Sequence, residues 1–81
     1  MAYFVYVLRS LRNRRFYTGH TKDLMKRLKE HNDGKSMYDR GNCPFELLYQ
    51  EAYATRSEAI KWEKYYKTGR GREVLLTKMN I

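Results

Sequence analysis

The stretch Phe16-Tyr17-Thr18-Gly19-His20-Thr21 closes an aromatic, β-branched run and leads into an amphipathic one. Phe16-Tyr17-Thr18 has strand character, and Gly19 marks the point where the backbone must turn or be closely approached. Thr21 is a helix N-cap candidate, Asp23 complements the dipole of the first turn, and Gly34 is available as a stop, so a helix is predicted from Thr21 to about Asn32. With Leu24 at zero and about 100° per residue, His31 falls at about −20°, Leu28 at about 40° and Arg27 at about −60°. Lys22, Lys26 and Lys29 occupy the opposite, solvated side. Arg27 and His31 thus edge the apolar stripe one turn apart, where both can reach one ligand.

Upstream, Tyr3-Phe4-Val5-Tyr6-Val7-Leu8 reads as a strand with both faces covered. Ser10 and Asn13 favour a turn within the basic segment Arg9 to Arg15, so the two runs are predicted to pair as an antiparallel hairpin. Tyr6 and Tyr17 then lie on neighbouring strands.

Downstream, Asn32 to Pro44 is polar, holds three turn-formers and reads as a loop with room for a helical turn at Met37 to Arg40. Phe45 to Tyr53 is predicted as a third strand, with Phe45, Leu47, Tyr49 and Tyr53 on one face by strict alternation. Thr55-Arg56-Ser57-Glu58 has capping-box spacing, so a helix is predicted from about Arg56 to Thr68, with Gly69 as its stop. The tail, Arg70 to Ile81, suits a short amphipathic helix or a strand. No repeat or linker divides the chain, and 81 residues suit one domain spanning 1–81.

Seventeen Lys and Arg against nine Asp and Glu give a formal charge of +8, with eight tyrosines interleaved. Cations neutralise phosphates and rings pack on bases, so this balance points to a polyanionic partner. The single cysteine, Cys43, excludes an internal disulfide, and one thiol with two histidines is too few for a structural zinc site. No apolar run reaches the roughly 20 residues of a membrane span, and the N-terminal run is too short for a signal h-region. A soluble protein of the reducing cytoplasm is expected.

Glu63 is the sharpest anomaly. It falls about 40° from Ala59, inside the apolar sector of its helix, where a carboxylate needs a partner. Lys67 at i+4 is one candidate. A hard divalent cation is another, since Mg²⁺ is often held by one or two carboxylates with waters and phosphate oxygens. Arg27 can snorkel or bind a phosphate as a planar fork. His31 can bond to backbone or move a proton. A strand tyrosine is ordinarily a packing residue, and as a general base near neutral pH it needs cations beside it.

The order of these residues resembles the GIY-YIG nuclease domain, and most closely its small stand-alone bacterial members. Phe4-Val5-Tyr6 and Tyr17-Thr18-Gly19 stand at the two naming tripeptides, with Phe4 in place of the first glycine. The helix with Arg27 and His31 and the segment Ala59 to Glu63 complete the match. The resemblance implies an α+β fold, a three-stranded antiparallel sheet flanked by helices. It implies a concave face with Tyr6, Tyr17, Arg27 and His31 as catalytic residues and Glu63 as ligand of one Mg²⁺ or Mn²⁺. The expected reaction is hydrolysis of a nucleic-acid phosphodiester, DNA rather than RNA, with Gly19, Tyr38 and Arg40 as substrate contacts. The alternative is a non-catalytic nucleic-acid-binding module on the same scaffold. With no appended recognition domain expected, target choice would come from this surface or from a protein partner.

Overall fold

A computed structural model describes residues 2–34 and 36–81. The order of elements is β1 (Tyr3–Ser10), β2 (Phe16–Thr21), α1 (Leu24–Asn32), α2 (Met37–Asn42), β3 (Phe45–Tyr53), α3 (Arg56–Tyr66) and α4 (Gly69–Lys78). The three strands form an antiparallel sheet in the order β2-β1-β3, so the fold is α+β and β1 is central. Its position explains the unbroken apolar run from Val5 to Leu8, which is buried on both faces.

The β1–β2 turn is held by the residues that predict it. Ser10 Oγ accepts from the N–H groups of Arg12 and Asn13, and Asn13 Oδ1 accepts from that of Arg15. These local bonds replace a ladder where the chain reverses.

Alternation sorts the side chains into two cores. Tyr6 and Leu8 of β1 project to one face with Tyr17 of β2, and meet Leu24 and Leu28 of α1 together with Phe45 and Leu47. Val5 and Val7 project to the other, against Ala59 and Tyr66 of α3 and Leu75 of α4. Complete burial of each such aliphatic side chain stabilises by about 1.5–3 kcal/mol.

Strict alternation fails in β3. Val7 pairs with Tyr49 but Leu8 pairs with Leu47, so Leu48 is the extra residue of a β-bulge. Phe45 and Leu47 therefore join the α1 face, whereas Tyr49 and Tyr53 join the α3 face. The single face predicted for all four is corrected to two.

Three element boundaries also move. The cap of α1 is Asp23, whose carboxylate accepts from Lys26 N–H, and Thr21 instead ends β2, its hydroxyl accepting from Asp23 N–H. Gly34, at φ +67°, follows the helix end as predicted. Helix α3 ends at Tyr66, and Gly69 is the first residue of α4 rather than a stop, with Thr68 as the cap of that helix. The tail is thus helical. In its first turn a Cβ on Gly71 would come within 1.7 Å of the Tyr65 carbonyl oxygen, an approach only glycine allows. Among the described residues no helix is long and apolar enough to cross a membrane.

Glu51 ties the α3 face together. It accepts hydrogen bonds from the hydroxyls of Tyr49, Tyr53 and Tyr66 and from Lys78 Nζ at 3.0 Å. The ammonium of Lys78 also lies 5.3 Å from the centre of the Trp62 ring. One carboxylate thereby joins β3, α3 and α4. Burial opposes its ionisation, but the four donors outweigh burial and bring its pKa down to about 2.

Candidate active site

The two strand tyrosines are brought together by register. Tyr6 lies opposite Gly19 and Leu8 opposite Tyr17, so both phenols project from the same face with ring centroids 6.3 Å apart. Gly19 is mid-strand rather than at a strand end, and close approach is what requires it. A Cβ there would stand 2.6 Å from the Tyr6 hydroxyl oxygen and 2.8 Å from Cζ. The Tyr6 ring thus lies across the backbone of β2.

Helix α1 delivers the next two groups. Its apolar residues Leu24 and Leu28 seat it on this face, which turns Arg27 and His31 toward the tyrosines. Both reach one atom. Arg27 Nε donates to the Tyr6 hydroxyl at 3.3 Å, and His31 Nε2 lies 3.1 Å from the same oxygen. Arg27 also bonds to Tyr17 and pairs with Glu30 at 3.4 Å.

Behind His31 stands Asp39. Its Oδ1 lies 2.7 Å from His31 Nδ1, and the histidine and aspartate are 1% and 6% exposed. A buried carboxylate fixes the proton on Nδ1 and leaves the Nε2 lone pair to accept from the phenol. The hydrogen-bonded order is therefore Asp39, His31, Tyr6, Arg27. Burial pushes the pKa of Tyr6 up to about 12; the hydrogen bond from Arg27 pulls it down but does not prevail. On its own the phenol is a proton holder, and its single hydrogen is aimed at His31.

Glu63 approaches from α3, on the opposite side of the sheet. Its Oε1 bonds to His20 Nδ1 of β2, and its Oε2 accepts from Lys67 Nζ at 2.8 Å. The five residues singled out by sequence therefore do not share one face. Four lie on the α1 face, and Glu63 meets them around the edge strand β2, close enough that its charge contributes to raising the Tyr6 pKa. Burial works against ionisation of Glu63, yet the bonds from Lys67 and His20 prevail and keep its pKa below the ordinary carboxylate value.

The anionic side chain fits a single hard cation. Among the described residues no three His, Cys, Asp or Glu side chains converge into a fuller ligand set. A lone carboxylate with waters and substrate oxygens suits Mg²⁺ or Mn²⁺ better than a closed protein cage does. Lys67 is half-exposed and holds Glu63 by an ordinary i,i+4 pair worth a few tenths of a kcal/mol, which a cation can displace.

Of the other candidates, Gly19 sits at the centre of the arrangement, and Arg40 is exposed on α2, outside the hydrogen-bonded cluster. The side chain of Tyr38 lies outside the described residues. Sequence reasoning missed Asp39 and His20. The signal for His20 was its place beside Gly19 on an edge strand; Asp39 had none beyond lying in a polar loop.

Comparison with known proteins bears on the family and the fold. The family model described as the GIY-YIG catalytic domain matches residues 2–79. A UPF0213 protein of Bacillus licheniformis is 43% identical over 67 residues, covering 82% of this chain and 68% of the relative. UPF0213 protein YazA of Bacillus subtilis is 42% identical over 66 residues, covering 80% and 66%. The solution NMR structure of the UPF0213 protein BH0048 from Bacillus halodurans is 35% identical and covers 95% of this chain and 84% of its own, with a TM-score of 0.57. Family model, relatives and solved fold converge, and the chain belongs to the GIY-YIG catalytic-domain family.

Proposed function

We propose that the chain is a divalent-metal-dependent endonuclease that hydrolyses phosphodiester bonds in DNA, in repair or structure-specific processing. The observation that carries this reading is the convergence of Arg27 and His31 on the Tyr6 hydroxyl, with Asp39 behind and Glu63 within electrostatic reach. Family membership adds a nuclease scaffold.

The roles follow from donors and acceptors. The Arg27 side chain is 39% exposed and presents its guanidinium to a phosphate whose negative charge grows in the transition state. Tyr6 accepts a proton from the attacking water as its own passes to His31 Nε2. Asp39 holds the ring and stabilises the imidazolium that results, as the third member of a triad does. The raised pKa of Tyr6 describes loss of its proton to solvent, and the imidazole offers that proton a nearer acceptor. Tyr17, stacked on Tyr6 and bonded to Arg27, orients the guanidinium. Glu63 would hold one Mg²⁺ or Mn²⁺, which supplies Lewis-acid polarisation of the phosphate and acidifies bound water.

The purified protein with Mg²⁺ or Mn²⁺ is expected to cut branched, nicked or single-stranded DNA. Glu63→Gln and Arg27→Ala should each abolish cleavage while circular dichroism stays native. Undiminished activity in either variant would overturn the mechanism. One observation favours a second reading, a nucleic-acid-binding module without turnover: Tyr6 is only 1% exposed. Salt-sensitive DNA binding with no cleavage in either metal would select it.

A further inference from the structure

Two clefts run end to end along the edge strand β2. The first, about 340 Å³, begins at Tyr17 and Thr18 and is walled by Tyr66, Lys67, Arg72 and Met79. The second, about 420 Å³, is lined by Arg14, Arg15, Phe16, Arg72 and Leu76. They share Phe16, Arg72 and Leu76, so the two are continuous, and the path runs on the α3 and α4 side of β2, where it includes Lys67, the partner of Glu63. Among the described residues no carboxylate lines either cleft. Glu73 follows Arg72 in α4 but lines neither.

Of the four cations lining this path, Lys67 is paired with Glu63. Arg9, Lys29 and Lys78 are neutralised by Glu46, Asp33 and Glu51. Arg14, Arg15 and Arg72 have no carboxylate partner among the described residues. Arg14 moreover occupies the left-handed region at φ 62°, a turn position where glycine or asparagine is the unstrained choice. A charge is placed there against backbone preference. Such strain is retained where a side chain has work to do.

We propose that this path is a second binding site, taking the sugar–phosphate backbone of the nucleic-acid strand that leaves the reaction centre along β2. Arg14, Arg15 and Arg72 hold successive phosphates, and the Phe16 ring and Leu76 form an apolar floor on which sugars and bases pack. The inference rests on the nuclease reading for its ligand and on none of that reading's catalytic residues for its contacts. It gives the chain a means of orienting substrate.

Fluorescence anisotropy with a labelled single-stranded oligonucleotide, and with the same sequence as a duplex, tests it across a salt titration. Wild type is compared with the double variant Arg14→Gln, Arg72→Gln and with a charge-matched control, Lys61→Gln, Lys64→Gln. The arginine pair should weaken binding and make the salt slope shallower by about 0.7 per arginine on single strands and about 0.9 on duplex. The lysine pair should change it less. Equal losses in both pairs, or an unchanged slope in the arginine variant, overturn the track. Arg14→Gly separates binding from folding: it should raise the melting temperature by relieving the left-handed residue while lowering affinity. Arginine-dependent binding without cleavage in any metal would sink the nuclease mechanism and leave the track standing. If wild type binds neither oligonucleotide, both fall.

Discussion

Asp39 and Tyr6 sit at the two ends of one imidazole, and this makes the aspartate accountable for a proton it does not itself carry. Asp39→Asn keeps the volume but lets an amide, rather than a carboxylate, meet Nδ1, so the wrong tautomer becomes available. Cleavage should fall by about a hundredfold or more. The companion variant Asp39→Glu should recover part of it, and the pH–rate profile is the readout that separates this role from simple packing. Gly19→Ala is the second test at this scale. Its methyl would overlap the Tyr6 hydroxyl, and forced repacking of this kind costs about 1–3 kcal/mol. We expect a lower unfolding midpoint in urea together with loss of activity. Gly19, Arg27 and His31 were legible because each leaves a local trace, a glycine among aromatics or a charge at the edge of an apolar stripe. Asp39 was not, since its meaning depends on α2 packing on α1, and polar loops carry no periodic signal.

At the level of elements, the clamp around Glu51 is the joint between β3, α3 and α4. Glu51→Ala would leave three tyrosines and Lys78 without their common acceptor, at a cost of about 3 kcal/mol, read as a lower melting temperature. The same joint sets the acid limit. The folded pKa of Glu51 lies at about 2, below the ordinary 4.5, so its stabilisation is complete above 4.5 and is lost as pH falls from there toward 2. The alkaline limit has the opposite sign. Tyr6 is raised from 10.0 to about 12, and Tyr53 and Tyr66 are raised as well, so stability holds below pH 10 and declines as pH climbs through 12. Urea midpoints across pH check both limits. The strands and the capped helix α3 were readable from alternation and from Thr55. The bulge at Leu48 was not, because one extra residue breaks the period without changing composition. Gly69 misled because glycine serves helix starts as well as stops, and only the contact of Gly71 with the Tyr65 carbonyl decides between them.

Across the whole molecule, the positive charge of the seventeen Lys and Arg is unevenly distributed. Part is cancelled in pairs that hold elements together, and part remains facing solvent, as at Arg14, Arg15 and Arg72. Raising ionic strength should therefore weaken nucleic-acid binding steeply while leaving the melting temperature almost unmoved, because the buried clamp is poorly screened. The sheet is the partition between these duties. Tyr6, Tyr17 and His31 gather on one face and the Glu51 clamp fills the other, with Glu63 reaching round the edge strand.

The bulge at Leu48 then has a consequence for how the molecule can vary. Because it reverses the sidedness of β3 partway along, Phe45 and Leu47 answer to the half that holds Tyr6 and His31, and Tyr49, Glu51 and Tyr53 to the half that holds the clamp. A single strand is thereby two separately adjustable segments. Changes before Leu48 should act on the packing beneath Tyr6 and His31, and changes after it on the clamp around Glu51. Deleting that one residue would make Leu47 and Tyr49 consecutive, so the ladder would become regular while both sets kept their present faces.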